Sequence, residues 1–89
     1  MTKIVVVTSG KGGVGKTTVT LGLASAAAHR GDRVLVVDLD PQGNASTGLG
    51  IDRRDRHLSS YDVLIGTHSI SDAVLDTAVP NLSIVPSTM

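Results

Sequence analysis

The stretch SGKGGVGKTT, residues 9–18, has the residue types and the spacing of a phosphate-binding loop. It matches the pattern G-x-x-x-x-G-K-[ST] in full, with Lys16 at the required lysine position. Lys16 is expected along the β- and γ-phosphates of a nucleotide, the Thr17 hydroxyl on Mg²⁺ and the Thr18 hydroxyl on the α-phosphate. A second lysine, Lys11, stands among the glycines, where the pattern asks for none.

The glycines of this stretch serve the backbone. They permit positive φ angles, so that successive N–H groups can point into one concave nest for phosphates. The helix expected to start near Lys16 adds the positive end of its dipole. The predicted nucleotide-binding residues are Gly10, Lys11, Gly12, Gly13, Val14, Gly15, Lys16, Thr17 and Thr18.

Two carboxylates follow in the segment VVDLDPQGN, residues 36–44. Asp38 falls at the carboxyl end of a predicted strand, where ligands gather in open α/β sheets, and Asp40 points toward the same crevice. Beside a Mg-triphosphate, one carboxylate can hold a metal-bound water and the other can orient the attacking water. The alternatives are structural: Asp38 bonds to backbone at the strand end, and Asp40 forms an Asx turn before Pro41.

The elements that position these residues follow from hydrophobic patterning. KIVVVT (3–8) and RVLVVD (33–38) are apolar runs without alternation, which predicts parallel strands buried on both faces. The segment 17–30 between them predicts a helix that stops at Gly31, which gives a right-handed βαβ unit.

The remainder of the chain predicts shorter elements. Residues 40–57 are typical of a long functional loop with a helical turn near Ala45 to Gly48. Segments 59–66 and 69–76 predict short helices with serine N-caps, and 81–87 predicts a third strand.

Composition indicates a soluble α/β chain of 89 residues, 40% hydrophobic and 18% charged, with no cysteine and therefore no thiol chemistry. No apolar run approaches the ~20 residues of a membrane span, and no signal peptide is recognisable, so a cytoplasmic location is expected. The cluster Arg53, Arg54 and Arg56 is diluted by aspartates and is interpreted as a solvated loop rather than a nucleic-acid contact.

Two segments together resemble a known family. KGGVGKTT resembles the deviant Walker A motif of the ParA/MinD superfamily of P-loop ATPases, and VLVVDLDPQGNASTGLGI is similar to the Walker A′ region of its ParA/Soj branch. The preceding VVVTSGKGG is closer to MinD and Mrp members, whereas DPQGN favours ParA. The resemblance implies an α/β, parallel-sheet P-loop NTPase fold with helices on both faces.

The resemblance also implies roles for single residues. Lys11 matches the signature lysine that reaches the partner's nucleotide in an ATP-sandwiched dimer, and Lys16 matches the Walker lysine. Asp40 matches the aspartate associated with the hydrolytic water, which makes Lys11, Lys16 and Asp40 the expected catalytic residues. Thr17 and Asp38 match the groups at the metal, and the implied cofactors are ATP and Mg²⁺.

The family fold runs to roughly 250 residues, so residues 1–89 are expected to be its N-terminal part, without the Walker B strand and the C-terminal half. The implied function is Mg-dependent ATP binding and hydrolysis that drives homodimerisation in chromosome or plasmid partitioning. The implied partners are a centromere-binding protein and non-specific DNA, with no membrane and with nucleoid association left open. The alternatives are a non-catalytic nucleotide-binding fragment, a MinD-like membrane-organising ATPase and an iron-sulfur reductase of the nitrogenase type.

Overall fold

The computed structural model describes residues 3–8, 13–56 and 58–87. For residues 13–16 and 53 it describes the backbone alone. Within these ranges no helix is long and apolar enough to cross a membrane.

The first three elements form the predicted βαβ unit. Strand β1 spans Lys3–Thr8 and strand β2 spans Arg33–Asp38, which confirms both strand predictions. Helix α1 between them spans Gly13–His29, so it begins earlier than the expected start near Lys16. Glycine permits both helical and loop backbone conformations, so the sequence does not mark this boundary sharply.

The end of α1 has a defined geometry. Gly31 adopts a positive φ of 101°, and its N–H donates to the carbonyl of Ala28 at 3.0 Å. The N–H of Asp32 donates to the carbonyl of Ala27 at 3.1 Å, which completes a Schellman motif. Gly31 therefore ends the helix as predicted.

The sheet has four strands in the order β1-β2-β4-β3. Strand β4, Leu82–Val85, pairs parallel with β2 and confirms the predicted third strand. Strand β3, Leu75–Asp76, pairs antiparallel with β4. The helix predicted over 69–76 is therefore wrong in its second half, because pairing with β4 outweighs the weak preference of a single helical turn.

Short helices occupy the long connection between β2 and β4. They are α2 (Asn44–Gly48), a 3₁₀ turn (Arg53–Asp55), α3 (Ser60–Leu64) and α4 (Ile70–Ala73). Ser59 precedes α3 as its N-cap, and its N–H donates to the Asp62 carboxylate at 2.8 Å. Ser69 and Asp72 repeat this arrangement at α4, so the predicted serine caps are confirmed.

The core lies between α1 and one face of the sheet. It is formed by small residues of α1 and branched residues of the strands: Ala24, Ala27, Ala28, Val34, Val36, Leu82 and Ile84. On the opposite face, Val5 and Val7 of β1 are 63% and 59% exposed. The prediction that β1 is buried on both faces is therefore wrong for this chain, because an apolar run does not reveal whether a second layer covers it.

The one-sided core predicts different costs for the same substitution on neighbouring strands. Val36→Ala should lower the free energy of unfolding by on the order of 2 kcal/mol, because it removes two methyl groups from a fully buried site. Val5→Ala should cost less than about 0.5 kcal/mol, since this side chain is already solvated. Urea unfolding of the chain measures both values, and equal costs would contradict the one-sided core.

Candidate functional site

The carboxyl ends of β1 and β2 lie side by side. Thr8 is the register partner of Asp38, and the N–H of Leu39 donates to the Thr8 carbonyl at 2.8 Å. The amino terminus of α1 lies at this same edge, because α1 follows β1 after a short connection and runs back along the sheet. Strand ends and a helix amino terminus thus converge as a phosphate site requires.

The predicted phosphate residues divide between described and undescribed parts of the chain. Gly10, Lys11 and Gly12 lie outside the described residues. The backbone of residues 13–16, which includes Gly13, Val14, Gly15 and Lys16, forms the first turn of α1, while the side chains of these residues also lie outside the description. Thr17 is half-buried and Thr18 is exposed.

The first turn of α1 has the backbone chemistry of an anion site. The first four N–H groups of an α-helix have no intrahelical acceptor, and the aligned peptide dipoles place partial positive charge there. In this helix those four groups fall within the predicted phosphate motif, at residues 13–16. The described backbone therefore fits a bound phosphate group.

The Asp38 side chain is fully buried, with 0% exposure, and each carboxylate oxygen accepts two hydrogen bonds. Oδ1 accepts from the Asp40 N–H at 3.0 Å and from the Thr8 hydroxyl at 3.4 Å. Oδ2 accepts from the Ser46 N–H at 2.9 Å and from its hydroxyl at 2.6 Å. A carboxylate has about four acceptor positions, so direct coordination of a cation would have to displace one of these donors.

Asp40 organises its own loop. Its side chain is 2% exposed, Oδ1 accepts from the Gln42 N–H at 2.9 Å, and Oδ2 accepts from the Asn44 N–H at 3.0 Å. The Asx turn that the sequence offered as an alternative is therefore present. Each oxygen retains one further acceptor position, which leaves the carboxylate able to orient a water.

Three buried serines, Ser46, Ser60 and Ser87, complete the site, and none was predicted from the sequence as a site residue. The Ser87 N–H donates to the Ser46 hydroxyl oxygen at 3.1 Å. Ser60 donates its hydroxyl to the Asp38 carbonyl at 2.6 Å. Serine in a loop carries no periodic signal, and only the pairing of β2 with β4 reveals that these segments meet.

The arginine cluster separates into two environments. The Arg54 side chain is 88% exposed and pairs with Asp52 at 3.2 Å, as expected of a solvated loop. Hydrogen bonds from the Arg54 side chain and then from its backbone N–H hold the pKa of the Asp52 carboxyl below its usual value. Arg56 is 4% exposed, so its assignment to a solvated surface is wrong. The side chain of Arg53 lies outside the described residues.

A cavity of about 730 Å³ opens at the opposite edge of the sheet, at the amino ends of the strands. Lys3, Arg33 and Asn81 lie in its wall. None of the predicted site residues whose side chains the structure describes lines this cavity. In the described ranges, no three histidines, cysteines or acidic residues come together as a set of metal ligands.

Comparison with known proteins identifies the chain. The AAA_31 family model, described as an AAA domain, matches residues 2–89. The chain belongs to this family. It is 46% identical over 89 residues to the sporulation initiation inhibitor protein Soj of Bacillus subtilis, which covers 100% of this chain and 35% of Soj. It is 47% identical over 85 residues to the chromosome partitioning protein ParA of Caulobacter vibrioides, which covers 96% of this chain and 32% of ParA.

Solved structures agree with this assignment. Cobyrinic acid a,c-diamide synthase from Mycobacterium smegmatis, with bound ADP and magnesium, is 38% identical with a TM-score of 0.82 over 99% of this chain and 35% of that chain. The septum site-determining protein MinD from Pyrococcus horikoshii, complexed with Mg-ADP, is 40% identical with a TM-score of 0.74 over 98% and 35%.

These matches confirm the resemblance to the ParA/Soj branch and the α/β P-loop fold class. The family is one of P-loop ATPases, and its members include partitioning proteins. The AAA_31 chain spans about a third of the length of the curated relatives it matches.

The serine network predicts a loss of stability at Ser46. Ser46→Ala should lower the free energy of unfolding by about 1–3 kcal/mol, because it deprives Asp38 of a donor and the buried Ser87 N–H of an acceptor. Ser71→Ala is the matched control, since Ser71 also lies in a short helix but is exposed, and it should change stability by less than about 0.5 kcal/mol. Chemical denaturation measures both, and similar values for the two variants would contradict the network.

Proposed function

We propose that the protein carrying this chain binds MgATP at the carboxyl edge of the sheet and hydrolyses it within an ATP-sandwiched homodimer. The observation that carries the proposal is a convergence at one edge. There residues 13–17 of the phosphate-loop signature begin α1, and the buried carboxylates of Asp38 and Asp40 end β2 and begin the following loop. Solved relatives that hold ADP with magnesium support the choice of nucleotide and metal.

The phosphate loop supplies binding. Backbone N–H groups between Gly10 and Thr18 cradle the phosphates, and Lys16 places its ammonium group along the β- and γ-phosphates. The Thr18 hydroxyl reaches the α-phosphate. These interactions exist in both the bound and the reacting nucleotide, so they hold the substrate in place for hydrolysis.

The metal site would be formed by the Thr17 hydroxyl and, through a water, by Asp38. When bound, Mg²⁺ offsets the negative charge of the phosphate oxygens. Thr17 lies one residue beyond the first turn of α1, at the edge where Asp38 ends β2. Because the Asp38 carboxylate already accepts four hydrogen bonds, a metal-bound water would replace the longest of them, which comes from the Thr8 hydroxyl at 3.4 Å.

Asp40 is assigned to the attacking water. Two backbone N–H groups hold its carboxylate in one orientation, so the free acceptor positions point in a fixed direction. A fixed acceptor can align a water for in-line attack and can receive a hydrogen bond from it throughout.

Lys11 is assigned to the partner subunit's nucleotide. Two lysines on one triphosphate in one subunit would repel each other at close range. A second nucleotide across a dimer interface gives Lys11 a separate anion to bind. Hydrolysis and release of phosphate remove the γ-phosphate charge from that nucleotide, which couples the chemistry to dissociation of the dimer.

The biological role that we propose is chromosome or plasmid partitioning in the cytoplasm, in association with the nucleoid. Similarity to the Caulobacter chromosome partitioning protein and to Soj supports this role. The partners would be non-specific DNA and a centromere-binding protein that stimulates hydrolysis. A membrane-organising role is the alternative that the similarity to MinD favours.

The dimer arrangement predicts complementation between two inactive variants of the whole protein. Lys11→Ala and Asp40→Ala should each abolish ATP turnover alone. In an equal mixture, half of the dimers are mixed and one of their two sites is complete, so turnover should recover to about a quarter of the wild-type value.

The control mixes wild type with the Lys11→Ala, Asp40→Ala double variant in equal amounts. Its mixed dimers contain no complete site under the proposed arrangement, so wild-type homodimers alone should give about a quarter of the wild-type turnover, against about a half if Lys11 acts within its own subunit. A phosphate-release assay measures both mixtures. No recovery in the first mixture would contradict supply of Lys11 across the interface.

Nucleotide binding predicts a shift in the thermal melt of the chain itself. MgATP should raise the melting temperature, because a ligand that binds the folded state alone stabilises it. Lys16→Ala should abolish the shift, while Lys3→Ala, a lysine at the opposite edge of the sheet, should preserve it. Circular dichroism measures the melts, and the absence of any shift in the unmodified chain would favour the non-catalytic fragment.

A further inference from the structure

Arg56 is a buried cation with neutral partners. Nη1 donates to the Ser87 carbonyl at 3.2 Å, and Nη2 donates to the Thr47 hydroxyl at 3.1 Å and to the Ile51 carbonyl at 2.6 Å. Its Nε is buried without an acceptor. The guanidinium thus joins the end of α2, the loop that follows it and the segment after β4.

Burial of the Arg56 charge is energetically unfavourable, which indicates that this residue has a role beyond filling space. Ion pairs of the described residues join Arg30 to Asp32 and Arg54 to Asp52, and none of them involves Arg56. Removing a charge from water without a directly paired counterion costs several kcal/mol, and hydrogen bonds to neutral oxygens offset this cost only in part. A leucine or methionine would fill the same volume without this cost.

Two connections lead from Arg56 to the candidate site. The first is a chain of hydrogen bonds: the Ser87 carbonyl accepts from Arg56, the Ser87 N–H donates to Ser46, and Ser46 donates to Asp38. The second is direct contact with Gly43, where an added Cβ would lie 2.6 Å from Nη1 of Arg56.

Gly43 occupies a sensitive position in the loop. It stands between Gln42 and Asn44, the two residues whose N–H groups hold the Asp40 carboxylate, and it adopts a positive φ of 68°. A guanidinium packed on this glycine restricts the backbone that presents both N–H groups. Arg56 therefore packs against the loop whose N–H groups hold the Asp40 carboxylate.

We propose that Arg56 is a positioning residue for Asp40, acting through Gly43 and Ser87 to fix the loop of residues 42–47. Its catalytic consequence rests on the proposed function, whereas its effect on the loop does not. Without the guanidinium the loop samples several conformations, and the Asp40 carboxylate loses its single orientation. A misplacement of about 1 Å can slow a reaction by roughly a hundredfold while binding is preserved.

The test compares Arg56→Lys and Arg56→Ala with Arg54→Lys and Arg54→Ala in the whole protein. Arg54 is the matched control, because it lies two residues away and is exposed. Amide hydrogen exchange by NMR reports on the loop, through the N–H groups of Gln42, Asn44 and Ser46. The rate of single-turnover hydrolysis per bound ATP reports on the chemical step. The amount of bound ATP is measured separately, so that a loss of folded protein is not mistaken for a slower reaction.

Both Arg56 variants should accelerate exchange of the loop amides at least about tenfold, while the amides of β2 stay protected. Turnover per bound ATP should fall by roughly ten- to a hundredfold with unchanged affinity for ATP. Guanidinium ion at millimolar, non-denaturing concentration should restore both readings in Arg56→Ala but leave Arg56→Lys unchanged. The Arg54 variants should match the wild type in every reading.

If Arg56→Ala unfolds, the variant Thr47→Ala, which retains Arg56, still allows the test. Thr47→Ala removes one acceptor of Nη2 and should give a smaller increase in loop exchange. Unchanged loop exchange in Arg56→Lys and Thr47→Ala would overturn the proposal, as would loss of β2 protection in parallel with the loop. If the wild type hydrolyses no ATP, the proposed function fails, and the exchange measurements still decide the role of Arg56.

Discussion

The carboxylate of Asp38 is the interaction on which the arrangement of the site depends. It is withdrawn from water at the end of β2, and four donors from three residues compensate for the lost hydration. Hydrogen bonds to a charged group contribute about 1.5–3 kcal/mol each, and a buried carboxylate that lacks them is strongly destabilising. Moving Ser46 or the Asp40 backbone away from β2 would leave the buried carboxylate without these donors. The loop is therefore held at the strand end.

The same edge carries an electrostatic conflict. Asp38 and Asp40 place negative charge beside a helix amino terminus that favours anions, so a bound triphosphate would be attracted by the helix and repelled by the carboxylates. Cations are needed to balance them; in the proposed site Lys16 and Mg²⁺ would supply this charge, together with Lys11 of the partner subunit. The hydrogen bonds that surround both carboxylates also hold each of them in one orientation. The buried guanidinium of Arg56 adds positive charge at the loop, where it contacts Gly43.

The sequence predicted the elements that depend on local pattern and missed the features that depend on contacts between distant segments of the chain. The runs 3–8 and 33–38 are strongly apolar and β-branched, and a helix between them has few alternatives, so the βαβ unit and its site edge were predictable. Strand β3 was missed because two residues gain their conformation from pairing with β4. The exposed face of β1 was not predicted from its apolar run, because such a run does not reveal whether a second layer covers the strand. Arg56 was missed because an arginine among charged neighbours has the pattern of a surface loop, and only the meeting of residues 47, 51 and 87 makes it a buried donor.

Nucleotide is proposed to bind at the carboxyl edge of the sheet and not in the cavity at the amino edge. Titration of the isotope-labelled chain with MgATP, followed through backbone amide chemical shifts, tests it most directly. The account predicts shifts that saturate at Thr8, Thr17 and residues 38–46, with little change at Lys3, Arg33 and Asn81. Saturable shifts confined to the amino-edge residues would contradict it.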